Sequence, residues 1–265
     1  MYTIKNFKDN DDVRVLDSKG PFSVIEYRRD LSVSPYTATM EYFSSKMNIR
    51  RRQVCCELID GSGVILQAGA MQWMTGDIGV KTGVKGVGDF ASKMLRGAAT
   101  GETAVKPEYK GDGTLVLEPT YRHILLMSTD EWGGGVVLDD GLFLACEDTL
   151  RQRTVARSNV SSAVFGGEGL FNLMLEGQGV FAIEADCPKE ELVEVELRND
   201  VLKIDGNLAL CWTPGLQFTT ERTTRSLVGS AASGEGLVNV YRGTGKVLMM
   251  PVRSRAGIHQ VPVTN

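Results

Sequence analysis

Apolar and polar residues alternate in short runs along most of this chain. Val193, Val195 and Leu197 are interleaved with Glu194, Glu196 and Arg198, the period of two that marks a strand with one wet face. Val201-Leu202-Lys203-Ile204 predicts the next short strand, with turn chemistry at Asn199-Asp200 and at Asp205-Gly206-Asn207. Ser23 to Arg28 reads as a further strand, and Thr37 to Met47 fits a strand or a short helix. In the repeat region only Asp89 to Leu95 reads as helix, with Asp89 as cap and Phe90 and Met94 on one face; it belongs with a glycine-rich insertion from Gly76 to Gly88. The pattern predicts an all-β protein.

The pattern also repeats. Gly111-Asp112-Gly113, Gly177-Gln178-Gly179 and Gly243-Thr244-Gly245 recur at a constant interval of 66 residues, the size of a copied supersecondary unit. Gly101-Glu102, Gly167-Glu168 and Gly234-Glu235 precede them at 10, 10 and 9 residues. A shift of 139 lays Glu57 on Glu196, Leu58 on Leu197, Ile65 on Ile204, Ala70 on Ala209 and Trp73 on Trp212, in a chain with 3 Trp. Three repeats follow, at 52–119, 120–186 and 187–252, with a leader at 1–51 and a tail at 253–265. Extended runs flank each Gly-x-Gly, so Gly111, Gly113, Gly177, Gly179, Gly243 and Gly245 are predicted to sit in hairpin turns, with positive φ at one or more glycines of each copy. The repeat glutamates Glu102, Glu168 and Glu235 are expected to accept backbone N–H bonds or to pair with an arginine of the next module.

Composition narrows the function classes. With 265 residues, 42% of them hydrophobic, the chain can bury a substantial core. A net charge of −4 argues against general attraction to nucleic acid or to an anionic membrane. The 5 cysteines are odd in number, include the adjacent pair Cys55-Cys56 and show no Cys-x-x-Cys. Buried, reduced thiols in a cytoplasmic protein are the expectation. The amino terminus has no apolar export segment, and no apolar run reaches the roughly 18 residues of a transmembrane helix.

Candidate chemistry is sparse. The 2 histidines, His123 and His259, sit in no catalytic motif. Gly83-x-x-Gly86-x-Gly88 does not fit the dinucleotide fingerprint. Asp139, Asp140, Glu147 and Asp148 lack ligand spacing, because adjacent carboxylates on a strand point to opposite faces. No catalytic residue, metal or cofactor is therefore expected. Arg151, Arg153 and Arg157 form the candidate nucleic-acid contact.

Phe165-Gly166-Gly167-Glu168-Gly169-Leu170-Phe171 and the following Gly177-x-Gly179 carry a family resemblance. It extends through Asp139 to Cys146, Gly69-Ala70-Met71 and Ser233 to Leu237. Over about residues 52–252 the chain resembles the altered-inheritance-of-mitochondria (AIM) family. That resemblance implies three tandem β-sandwich modules of double-stranded β-helix type, like those of the tryptophan RNA-binding attenuation protein (TRAP); the short helix read at Asp89 to Leu95 would lie in the first. It also implies a homotrimer closing a nine-module ring. The expected function is a non-catalytic ring-forming scaffold that presents a surface to a protein or membrane-associated partner. The alternative is a ligand- or RNA-binding regulator acting at module junctions.

Overall fold

Two kinds of hydrophobic run become two kinds of strand. Ile124-Leu125-Leu126-Met127 and Val180-Phe181-Ala182-Ile183 are apolar at every position and lie in strands buried on both faces; the alternating runs lie on edges with one wet face. The computed structural model describes residues 2–83, 106–156, 171–222 and 237–252. In chain order the strands are β1 (Val13–Lys19), β2 (Phe22–Tyr27), β3 (Arg52–Leu58), β4 (Gly63–Leu66), β5 (Met71–Lys81), β6 (Glu108–Leu117), β7 (His123–Ser128) and β8 (Gly135–Leu138). Then follow β9 (Phe143–Glu147), β10 (Arg151–Ala156), β11 (Phe171–Glu176), β12 (Val180–Ala185), β13 (Val193–Asp205), β14 (Ala209–Trp212), β15 (Gln217–Arg222) and β16 (Leu237–Met249). A helix, α1 (Ala38–Lys46), separates β2 from β3 and buries none of its residues. The protein is all-β. The helix expected at Asp89 to Leu95 lies outside the described residues.

A 9-stranded sheet runs β1-β2-β3-β6-β4-β9-β12-β7, with β5 also paired to β6. A 7-stranded sheet runs β10-β11-β8-β14-β16-β13, with β15 also paired to β16. The described pairings of named strands are antiparallel. Residues 13–27, in the stretch read as a leader, join the first sheet through the pairing of β2 with β3.

Three hydrophobic clusters form among the described residues, and they share strands. In β7, Leu125 and Met127 pack into the central cluster while Ile124 and Leu126 pack into the first. In β12, Phe181 and Ile183 face the central cluster, and Val180 and Ala182 face the first. In β14, Leu210 and Cys211 belong to the central cluster, and Ala209 and Trp212 to the third. Trp212, Phe218 and Tyr241 form an aromatic triad in the third cluster with ring centroids 5.0–5.2 Å apart.

Two local expectations are corrected. Residues 193–205 form one continuous strand rather than two strands joined by a turn, because β16 pairs with both halves of it. The change of direction is absorbed by a register irregularity between Leu197 and Asp200, with Asn199 at φ 53°. Residues 76–81 of the expected insertion continue β5.

The glycine tripeptides are kinks along a strand path rather than hairpin turns. Gly111 and Gly113 lie within β6, Gly243 and Gly245 lie within β16, and Gly177 and Gly179 lie in the bend between β11 and β12. Gly111, Gly177 and Gly243 have φ of 145°, 111° and 123°. Crowding adds to the requirement: a Cβ on Gly113 would sit 2.1 Å from the carbonyl oxygen of Thr75. The middle residue of the tripeptide then caps a neighbouring strand. Asp112 accepts the N–H of Asp60 at 2.7 Å, and Thr244 Oγ1 accepts the N–H of Asn199 at 3.0 Å. Asp60 and Asn199 both have positive φ.

Candidate functional site

Strand edges are the feature from which a site can be built, since each carries unpaired backbone donors and acceptors. Two pairings inside the chain set the pattern. β4 pairs with the first half of the kinked strand β6, and its other edge pairs with β9 through Ile65 and Cys146. β8 pairs with β11, and its other edge pairs with β14 through Val137 and Trp212. β9 and β14, in turn, pair with the second halves of the kinked paths, at β12 and β16.

The two ends of this series lack such partners. Asp200 to Ile204, the second half of β13, pair with the first half of β16 as β4 pairs with that of β6. Met71 to Thr75, the first half of β5, pair with the second half of β6 as β14 pairs with that of β16. Among the described residues neither segment has a strand on its outer edge. The β5 segment, Met71-Gln72-Trp73-Met74-Thr75, carries no charge and no proline, the usual guards of an exposed edge. Met74 is 39% exposed and Val201, on the β13 edge, 44%. Trp73 packs against Phe7 with centroids 5.3 Å apart.

The arginines expected to meet nucleic acid are not gathered into a cationic face by the described residues. Arg151 and Arg153 lie on β10, Arg153 pairs with Glu176 at 3.3 Å, and Arg151 is directly opposite the same glutamate. Arg157 lies outside the described residues, as do Glu102, Glu168, Glu235, His259, Gly86 and Gly88. His123 opens β7, and burial followed by the charge of Arg52 pulls its pKa below the usual histidine value, favouring the neutral ring. Asp148 pairs with Lys110 at 2.7 Å, and Glu147 accepts the N–H of Val180. All 5 cysteines are buried and unbridged. Burial pushes Cys55 and Cys146 up to about 12 and raises the other three, which keeps thiolate out of reach at neutral pH.

One constellation escaped sequence reading. Arg14 on β1, Glu26 on β2 and Arg52 on β3 stand in register across three strands. Glu26, with its side chain 1% exposed, receives Arg14 at 2.8 Å and Arg50 at 3.0 Å on one oxygen and Arg52 at 2.7 Å on the other. Burial works to raise the Glu26 pKa, but the Arg14 and Arg50 hydrogen bonds and the Arg52 charge outweigh it and hold the carboxyl below its usual range. The signal available in the sequence was a glutamate on the apolar strand Phe22–Tyr27, which called for buried cations.

These strands and kinks are those of a known class. Residues 46–252 match the family described as mitochondrial biogenesis AIM24, and the chain belongs to that family. It is 28% identical over 199 residues to an uncharacterised protein of Streptococcus pyogenes serotype M6, covering 72% of this chain and 77% of that one. It is also similar to the crystal structure of a Streptococcus pyogenes structural-genomics target, with 25% identity and a TM-score of 0.57 over 78% of this chain and 90% of that one. No helix among the described residues is long and apolar enough to cross a membrane.

Proposed function

We propose that this protein is a non-catalytic scaffold that assembles head to tail through β5 and β13. In this reading residues 52–252 are three modules of one plan, each a bent strand set around a glycine kink, as in the ring-forming TRAP fold. The observation that carries it is the repeated junction. β4·β9 and β8·β14 join successive units in the same way, and the edges that would continue the series are the uncovered ones. Asp60 and Asn199, 139 residues apart and both held at positive φ by the tripeptide facing them, support equivalence of the first and third units. The raised, buried thiols and the neutral, motif-free His123 favour binding over turnover.

A homotrimer closes the series with cyclic symmetry and leaves none of these edges exposed. Light scattering at micromolar concentration is expected to give three times the 28.9 kDa chain mass. Met74→Lys places a charge on the receiving edge and is expected to give a folded monomer. A cysteine pair at Met74 and Lys203 is expected to form a disulfide between copies. A wild-type monomer across the concentration range sinks the proposal.

A further inference from the structure

The assembly reading makes no use of the cationic wall beside β1 and β2. A cavity of about 450 Å³ is lined by Asp11, Asp12, Arg14, Arg28, Arg29 and Arg50. We infer that this cavity is a binding site for a phosphate-bearing ligand that also carries hydroxyl groups. The inference rests on charge and on preorganisation, and it stands independently of the oligomeric state.

Four guanidinium groups face two carboxylates in the wall, an excess of two positive charges. Arg29 is occupied by Asp12. Behind the wall, Glu26 is shared by Arg14, Arg50 and Arg52, so its single charge is balanced by Arg52 alone and leaves Arg14 and Arg50 in excess. Arg50 Nε is buried with no hydrogen-bond partner. Arg28 is exposed at the rim, with no carboxylate in ion-pair range among the described residues. Crowded like charges repel until an anion joins them, and Arg forks match the oxygens of a phosphate.

Buried Glu26 fixes two of these forks in place, so little side-chain freedom is lost when the anion arrives. Asp11 and Asp12 refine the ligand class. A bare polyanion would be repelled by them, whereas a phosphate monoester bearing hydroxyls offers acceptors to the arginines and donors to the aspartates.

The test is calorimetric titration of the full chain with glycerol 3-phosphate and with inorganic phosphate, beside sedimentation with phosphatidylglycerol and phosphatidylcholine vesicles. Arg28→Ala is the informative variant because Arg28 takes no part in the Glu26 lattice; exposed Lys46 on α1 supplies the control substitution Lys46→Ala. Saturable binding of glycerol 3-phosphate, weakened about tenfold or more by R28A and unchanged by K46A, is expected. Binding confined to phosphatidylglycerol vesicles and lost in R28A supports the same site with a lipid headgroup as its source. No binding in either arm, or binding that R28A leaves intact, overturns the inference.

Discussion

β12 and β13 show how differently this chain treats two strands. β12 lies between β7 and β9, and its Phe181, Ala182, Ile183 and Ala185 are fully buried. β13 is 13 residues long, pairs with β16 on one edge, and of its side chains only Leu197 and Ile204 are buried. Central strands thus carry the hydrophobic contribution of two clusters, while the outer strands hold backbone in a paired geometry with an edge to spare. Buried side chains and open backbone edges are segregated along the sheet order.

The largest effects should come from the buried side of that comparison. Glu26→Ala leaves Arg52 as a buried cation without its partner and is expected to cost about 3–5 kcal/mol, read as a lowered denaturation midpoint. Phe181→Ala should cost a similar amount, about 3–5 kcal/mol, through lost contacts in the central cluster. Val201→Ala on the β13 edge should move monomer stability by less than about 0.5 kcal/mol. Equal losses for Phe181→Ala and Val201→Ala would erase the distinction between the two strands.

Glycine substitutions sharpen it at an intermediate scale. Gly113→Val drives a Cβ into the Thr75 carbonyl of the neighbouring strand, and strain on the order of 1–3 kcal/mol is expected from thermal melts. Gly69→Ala, at positive φ with no atom within 4 Å of the new Cβ, should cost about 1–2 kcal/mol through backbone strain alone. An unchanged melting temperature for Gly113→Val would make the kink an ordinary stretch of strand.

Acid titration reads the carboxylates of the same comparison without altering a side chain. Glu26, Glu57 and Glu131 all have folded pKa values below their usual ones. Their contribution is therefore complete above the unfolded carboxylate value of about 4.3 and fades as pH falls through the lower folded values. Glu26→Gln should flatten that acid limb, measured as denaturation midpoint against pH; a limb of unchanged slope would remove Glu26 from the account.

The sequence discloses these features unequally. Alternation exposes β2 and the two halves of β13, and the all-apolar runs mark β7, β8, β9 and β12, because burial on one face or two is a local property of side chains. The constant glycine interval locates the kinks, but not that β6 and β16 run through them, since the pairing partner decides whether positive φ ends a strand or bends it. The Glu26 lattice draws on residues 14, 26, 50 and 52, brought together by strand register, and register is written across strands rather than along one. The β4·β9 and β8·β14 junctions are hidden for the same reason.

Shared strands also govern how the chain comes off the ribosome. Phe22, Val24 and Leu115 of the first cluster are translated early, yet the cluster also contains Val180 and Ala182. At 5–20 residues per second, the interval between residue 117 and residue 182 lasts roughly 3–13 s. For that time the nascent first cluster lacks the β12 side chains that close it, and until residue 147 the rim of β4 also lacks β9. A ribosome-bound chaperone, or slow codons placed after residue 182 rather than after 119, would suit such a molecule better than one whose units close in turn.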